Sequence, residues 1–232
     1  MIQTVARWLS CLACAAGAAL LLAGCGGGGN ESESLSPEQA AELDALSNAY
    51  TNDGVAALRR NPNALALGKQ LYAAHCASCH GADGKGSKGI TDLTLGHFAW
   101  GATEDAIRTT IRDGRNAEMP SMGNEYGELE LGQIVAYVET LATGAELNDY
   151  ERHGRDLYRE KCVACHGEDG RGQPTIGAAD LTDDYWQHGN SMMNKRLVIT
   201  RGVQSSCPAQ GNRLTPAQLD LLTAYVMELA GS

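Results

Sequence analysis

Two copies of one short motif carry most of the chemistry available to this sequence. Each copy has two cysteines separated by two residues and followed directly by a histidine: Cys76, Cys79 and His80 in the first copy, Cys162, Cys165 and His166 in the second. At this spacing the two thiols can bond the two vinyl groups of one porphyrin, and the imidazole can bind its iron. The sequence therefore predicts two covalently bound haem c groups, with His80 and His166 as iron ligands.

Other uses of the four motif cysteines fit the pattern less well. A thioredoxin-like dithiol or a zinc site would also contain a Cys-x-x-Cys pair. Neither explains a histidine directly after each pair, and no second pair of cysteines or histidines stands at zinc spacing from either motif. We therefore interpret both motifs as haem attachment sites.

The motifs lie inside an internal repeat, which shows as a constant spacing between matching residues. Around each motif the spacing is 86 residues, and it becomes 88 further along because the second copy has gained two residues. The repeat predicts two domains, residues 65–143 and residues 150–232, joined by a linker at 144–149. It also pairs Trp100 with Trp186.

The elements that position the motifs are predicted to be short helices. Apolar residues recur at helical spacing near the end of each repeat, at Leu131, Ile134, Val135, Val138, Leu219, Leu222 and Val226. Thr215 and Gln218 form a capping box, so the last helix is expected to begin at Pro216. No segment alternates apolar and polar residues as strands do. We predict an all-α fold of two small helical bundles, each wrapped around one haem that completes its core.

Both halves resemble class I cytochromes c. The resemblance implies a methionine, often followed by proline, on the iron face opposite the histidine. In the first repeat Met119 fits this pattern better than Met122, so the resemblance implies that His80 and Met119 bind the first haem iron. It also implies that Trp100 and Trp186 pack against the haems near their propionates, with ordinary core packing as the alternative.

The second repeat departs from this pattern at the ligand position. Pro208 is retained, but Cys207 stands where the first repeat has Met119. The register of the repeat favours Cys207 and His166 as the ligands of the second haem, and a thiolate lowers the reduction potential that a methionine raises. The alternative is a free or disulfide-forming thiol, which leaves the second iron open or bound by another residue: Met192, Met193 or His188.

The N-terminus resembles the signal of a bacterial lipoprotein. Residues 8–21 form an apolar run, and residues 22–24 lead to Cys25 as in a lipobox. We expect residues 1–25 to contain a signal peptide cleaved before Cys25, whose lipid anchors the chain to a membrane on the periplasmic side, with the outer membrane favoured. An uncleaved signal anchor is the alternative. Residues 26–64 are predicted to form a flexible tether and an acidic helical extension.

The charge balance bears on binding partners. The chain has 18 Lys and Arg residues against 28 Asp and Glu, a formal net charge of −10. Without a cationic surface to displace counterions from phosphates, this composition argues against nucleic-acid binding. The acidic excess concentrates before and within the first domain, where it would attract a basic protein or simply form a solvated surface.

Across residues 65–232 the chain resembles the diheme c-type subunit of high-affinity haem-copper terminal oxidases. Both repeats contain the sequence Asp-Leu-Thr, at residues 92–94 and 180–182, which adds to the resemblance. It implies a membrane-tethered electron carrier between redox proteins, such as a donor and a terminal oxidase or reductase. The lipobox and Cys207 depart from that family.

A Cys207-ligated haem is also compatible with two other functions. One is an enzyme that oxidises an inorganic sulfur compound such as thiosulfate, because such haems resemble those of thiosulfate-oxidising cytochromes. The other is a redox or gas sensor in which Cys207 leaves the iron. A cluster of basic residues at the second haem would favour the enzyme, and the candidates are Lys195, Arg196, Arg201 and Arg213.

Overall fold

The computed structural model describes residues 37–231, which are mostly helical. The helices are α1 (Pro37–Ser47), α2 (Val55–Leu58), α3 (Pro62–His75), α4 (Ala77–His80), α5 (Glu104–Asp113), α6 (Glu128–Leu141), α7 (Asp149–Lys161), α8 (Val163–His166), α9 (Met192–Arg201) and α10 (Pro216–Leu229). Two short strands, β1 (Arg115–Met119) and β2 (Val203–Cys207), complete the fold together with a 3-10 turn at Asn48–Tyr50. The predicted signal peptide and Cys25 lie outside the described residues. Within that range, no helix has the length and apolar character needed to cross a membrane.

Helix starts follow the signals in the sequence. At the start of α10, Thr215 Oγ1 accepts a hydrogen bond from the Gln218 amide (3.3 Å), and Gln218 Oε1 accepts one from the Thr215 amide (2.9 Å). Thr103 caps α5 by accepting a hydrogen bond from the Ala106 amide (3.2 Å). The mostly helical fold is thus confirmed, and the two five-residue strands are the element that the sequence did not predict.

The two central helix pairs each combine helices from different repeats. Helix α3 of the first repeat packs on α10 of the second, and α6 of the first packs on α7 of the second. A glycine lies at each crossing. A Cβ on Gly68 would stand 2.5 Å from the Leu221 carbonyl oxygen, and a Cβ on Gly154 would overlap the Gln133 carbonyl. The absence of a side chain at these positions lets the helices approach closely.

The buried apolar side chains form two clusters that follow this packing. The first unit consists of α1 to α5 with α10, and the second unit consists of α6 to α9. The sequence predicts one domain in residues 65–143 and one in residues 150–232, and in the structure both units contain helices from both repeats. Helices α6 and α10 carry matching apolar positions, such as Leu131 and Leu219, so their sequence pattern does not say which partner helix each one packs on.

The chain passes between the units at the strand pair. Strands β1 and β2 are antiparallel, with Arg115 opposite Cys207 and Met119 opposite Val203. Gly114 enters β1 with a φ of +71°, and a Cβ there would stand 2.5 Å from the Cys207 carbonyl oxygen. After β1 the chain of the first repeat continues to α6 in the second unit, and after β2 the chain of the second repeat continues to α10 in the first unit.

Candidate haem sites

Each cysteine motif forms one tight helical turn directly after a longer helix. In the first motif, the amides of Cys79 and His80 donate hydrogen bonds to the Cys76 carbonyl, at 3.1 and 2.9 Å. Cys76 is half-buried and Cys79 is exposed. Burial, reinforced by the neighbouring Cys207 and Cys79, raises the pKa of Cys76 to about 12. The unmodified thiol therefore stays protonated at neutral pH.

The second motif repeats this geometry. The amides of Cys165 and His166 donate to the Cys162 carbonyl at 3.1 and 2.8 Å, and Cys162 is half-buried while Cys165 is exposed. Burial, and to a smaller extent the neighbouring Cys165, raises the pKa of Cys162 to about 11. Two equivalent thiol pairs thus lie at the junctions α3–α4 and α7–α8.

Both motif histidines are oriented by a backbone carbonyl oxygen. His80 Nδ1 lies 3.0 Å from the Thr91 carbonyl oxygen, and His166 Nδ1 lies 3.0 Å from that of Ala179. Because a carbonyl oxygen can only accept, each Nδ1 must carry the hydrogen, which leaves the Nε2 lone pair for a metal. Burial also lowers the pKa of His166, which favours the neutral form that binds metals.

A buried tyrosine fixes the turn after each motif, a role that sequence reasoning did not assign. The Tyr72 hydroxyl donates to the Gly81 carbonyl (2.7 Å), and the Tyr158 hydroxyl donates to the Gly167 carbonyl (2.8 Å). Gly81 has a φ of +75°, a conformation that other residues rarely adopt. The pairing of Tyr72 with Tyr158 in the internal repeat was the signal that could have identified them.

The donor groups of both motifs fit haem c. Among residues 37–231, the five cysteines are free thiols, and no three His, Cys, Asp or Glu side chains are grouped so that they could hold a metal ion. Each motif instead offers two thiols beside one imidazole with a free Nε2. This set fits covalent attachment of a porphyrin that brings its own four iron ligands, and it does not fit zinc.

The structure groups the candidate distal ligands differently from the sequence prediction. Met119 packs in the second unit, in a cluster that includes Cys162 and Trp186. Cys207 lies beside the first motif, where burial and the neighbouring Cys79 raise the pKa of its thiol. The structure thus brings neither Met119 to His80 nor Cys207 to His166, because β1 and β2 cross between the units.

The alternative distal ligands are placed as follows. Met122 packs in the second unit with Met119. Met192 and Met193 are 56% and 61% exposed in the first turn of α9. The His188 ring lies against Gly89 of the first repeat, so that a Cβ on Gly89 would stand 3.6 Å from it.

The two tryptophans occupy different surroundings. Trp186 packs in the second unit, with Lys195 Nζ 3.7 Å from its ring centre. Trp100 is half-buried under the Arg115 guanidinium, which lies 4.8 Å from its ring centre. Each tryptophan therefore carries a cation on one face, an arrangement that stabilises both side chains.

The basic residues proposed as an anion site have separate surroundings, with Arg201 exposed at the end of α9. Lys195 forms an ion pair with Glu139, and Arg196 forms one with Glu128. Arg213 lies in the other unit, where burial and then its positive charge lower the pKa of His75. These positions do not support the anion-binding cluster that would favour a sulfur-oxidising enzyme.

The loops that follow the two motifs are hydrogen-bonded to each other. Thr91 Oγ1 donates to Gln187 Oε1 (3.1 Å), and Gln187 Nε2 donates to the Gly89 carbonyl (2.8 Å). The Tyr185 hydroxyl accepts a hydrogen bond from the Asp92 amide (2.8 Å). The loop that orients His80 is thus bonded directly to the loop that carries Trp186.

Comparison with known proteins agrees with this geometry. The family model described as cytochrome c oxidase, cbb3-type, subunit III matches the chain twice, over residues 63–138 and 150–226. The chain belongs to this family. Together with the two motifs, membership makes it a tandem diheme c-type cytochrome with two covalently bound haem c groups.

Several curated relatives are cbb3-type cytochrome c oxidase subunits. The chain is 37% identical over 190 residues to subunit CcoP of Rubrivivax gelatinosus, an alignment that covers 82% of this chain and 62% of that relative. It is 32% identical over 221 residues to subunit FixP of Azorhizobium caulinodans, covering 88% and 75%. The chain therefore spans less than two thirds of the first relative and three quarters of the second.

Proposed function

We propose that the chain carries electrons in the bacterial cell envelope, from a donor redox protein to an acceptor such as a cbb3-type terminal oxidase. Each bound haem iron supplies a one-electron couple between the ferric and ferrous states. The chain attaches the haems through Cys76, Cys79, Cys162 and Cys165, and orients His80 and His166 toward the irons. No bond outside the iron centres forms or breaks, so each electron that enters from the donor leaves to the acceptor.

One observation carries this proposal: the two motifs are connected through a few short contacts. The Thr91 carbonyl orients His80, and the Thr91 hydroxyl is bonded to Gln187, the neighbour of Trp186 in the second unit. The route from His80 to Gln187, beside Trp186, contains two hydrogen bonds, at 3.0 and 3.1 Å. It supports electron transfer between the two haems of a single chain.

The charge of the chain supports docking to a basic partner. The net charge of −10 favours encounter with positively charged proteins, and salt weakens that attraction. We propose that this charge speeds association with the donor or the acceptor and adds little to the lifetime of the complex.

We also propose that a lipid on Cys25 tethers the chain to a membrane, on the periplasmic side and at the outer membrane. The lipobox-like residues 22–25 support this proposal. Cells grown with labelled palmitate should incorporate label into the wild-type chain and none into Cys25→Ser. A chain that carries no label would overturn the lipid anchor and leave the electron-transfer proposal standing.

The function is tested by mixing the reduced protein with purified cbb3-type oxidase and oxygen in a stopped-flow instrument. We expect both haems to be oxidised at a rate that rises with oxidase concentration and falls with salt. Protein without the oxidase is the control. Haems that stay reduced beside an active oxidase would refute this acceptor. Reduction of the ferric protein by thiosulfate alone would instead support the sulfur-oxidising enzyme.

A further inference from the structure

We infer that the buried ammonium group of Lys195 raises the reduction potential of the haem attached at Cys162 and Cys165. The equivalent position of the first unit is occupied by Ile107, so this electrostatic contribution belongs to the second haem site. The inference rests on the two-haem electron carrier proposed above and deepens it, because it concerns what sets the potential of one of the two haems.

Lys195 is a cation enclosed by the protein. Its side chain is only 4% exposed, and its Nζ forms an ion pair with Glu139 of α6. The same Nζ lies 3.7 Å from the centre of the Trp186 ring. A charge removed from water needs compensating partners, and here a carboxylate and an aromatic face supply them.

The contact with Trp186 places this charge beside the second haem site. Trp186 packs against the apolar cluster that also includes Cys162, one of the two cysteines that attach this haem. Ile199 of the same cluster follows Lys195 by one turn of α9, so the two residues share a face of that helix. Because a nearby positive charge attracts the electron added to the iron, Lys195 favours the ferrous state.

The carboxylate of Glu139 does not cancel this effect. The Glu139 side chain is 40% exposed, whereas that of Lys195 is 4% exposed. Water and salt screen the field of an exposed charge more strongly than that of a buried one. Of the two charged groups, it is also the ammonium that lies against Trp186. The pair therefore acts on the haem site as a net positive charge.

The first unit has two apolar side chains where the second unit has this ion pair. At the repeat spacing of 88 residues, Lys195 corresponds to Ile107 and Glu139 corresponds to Met227. Ile107 lies in the core of the first unit, and Met227 packs against that core. The helices that carry these residues are paired in the same way, α5 with α10 and α9 with α6. Packing at this position therefore does not require a buried charge, which indicates an electrostatic role for Lys195.

The cation on the tryptophan of the first repeat is placed differently. It is Arg115 of β1, which is half-buried and lies 4.8 Å from the Trp100 ring centre. Lys195 is both more buried than Arg115 and closer to its ring. The two haem sites therefore differ in electrostatic surroundings, in addition to any difference between their iron ligands.

The test is a potentiometric titration of the full chain with both haems bound, followed by visible absorption. The variants are Lys195→Met and, as the matched control, Arg201→Met, which removes an exposed cation from the same helix. We expect Lys195→Met to lower one of the two potentials by about 59 mV, a roughly tenfold fall in the ratio of ferrous to ferric haem, and to leave the other unchanged. Arg201→Met should change that ratio by less than about twofold, and added salt should abolish its effect.

Two further variants separate the charge of Lys195 from its packing. Lys195→Arg keeps a cation and should retain the wild-type potential. Glu139→Gln removes the anion and should raise the same potential by a smaller amount, because Glu139 is more exposed than Lys195. Looser packing that admitted water to the haem would instead shift both Lys195→Met and Glu139→Gln in the same direction. A shift in the same direction in both, or no shift in Lys195→Met, would overturn the inference.

The affected haem is assigned in Cys76→Ser with Cys79→Ser, where the haem at Cys162 and Cys165 is the one covalently bound. Adding Lys195→Met to this variant should lower the remaining potential by the same amount, and an unchanged potential would overturn the inference. If this variant does not fold, the assignment uses the full chain at partial reduction. The haem whose methyl protons show nuclear Overhauser contacts to the Trp186 indole should then be the one with the lowered potential, and the other haem would contradict the inference.

The same titrations distinguish this inference from the function on which it rests. Two reversible transitions that are both indifferent to Lys195→Met would overturn the role of Lys195 and leave the electron carrier standing. Haems that cannot be reduced and reoxidised reversibly in the wild-type chain would overturn the electron carrier itself.

Discussion

Replacing Gly68 with alanine tests the helix crossing on which the first unit depends. The new Cβ would stand 2.5 Å from the Leu221 carbonyl oxygen and 2.8 Å from the Tyr225 Cβ, whereas ordinary contacts begin at 3.4 Å. Helices α3 and α10 would have to separate by about 0.9 Å, and the closest atom belongs to the backbone, which cannot turn aside. The buried side chains between them, Leu71 and Leu222, would lose contact.

The expected magnitude is the difference between two effects. Overpacking of this kind costs about 2–3 kcal/mol, and alanine in place of glycine in a helix interior recovers about 1 kcal/mol. We therefore expect Gly68→Ala to lower the free energy of unfolding by about 1–2 kcal/mol. In a domain of this size that corresponds to a melting temperature lower by about 3–6 °C.

The assay is guanidinium and thermal denaturation followed by far-ultraviolet circular dichroism, with Gly132→Ala as the matched control. Gly132 also lies inside a helix, but its nearest neighbour is the hydroxyl of Tyr150, the mobile end of a side chain that is 42% exposed. The control should be as stable as the wild type or gain up to about 1 kcal/mol. Equal stability of Gly68→Ala and Gly132→Ala would refute the close crossing of α3 and α10.

Three further changes test single contacts by the same denaturation assay. Tyr158→Phe removes the hydrogen bond to the Gly167 carbonyl and should cost about 1 kcal/mol, and an unchanged midpoint would show that this bond contributes nothing. Glu139→Gln leaves the buried Lys195 ammonium without its anion and should lower the free energy of unfolding by about 2 kcal/mol. This is less than for a fully buried pair, because the Glu139 side chain is 40% exposed. Lys195→Met should leave the stability nearly unchanged. The reverse order would contradict that argument. Thr215→Ala removes the N-cap of α10 and should cost about 1 kcal/mol, so a loss no greater than that of Thr175→Ala, at an exposed loop threonine, would refute the cap.

Local sequence signals were sufficient for some of the helices and for the two motifs. The capping box at Thr215 placed the start of α10, and the helical spacing of Leu131, Ile134 and Val138 predicted α6. The cysteine and histidine spacing predicted the two haem attachment sites. Such signals depend on residues a few positions apart, which is the range over which helix capping and periodicity act.

The exchange between the repeats could not be predicted in the same way. Leu131 and Leu219 occupy equivalent positions in the repeat, as do Gly68 and Gly154, so the sequence pattern does not say whether α6 packs on α3 or on α7. Which pair forms depends on how the chain crosses at β1 and β2, and neither strand carries the apolar alternation that would have predicted it. The internal repeat thus indicated the two haem motifs, but because its copies are equivalent it did not indicate which helices pack together.

The central claim, a carrier with two unlike haems in one chain, is tested most directly by a potentiometric titration of the purified protein followed by visible absorption. The account predicts two reversible one-electron transitions of similar amplitude at clearly different potentials. A single transition that accounts for both haems would contradict unlike ligation, and a protein with one reducible haem per chain would contradict the carrier itself.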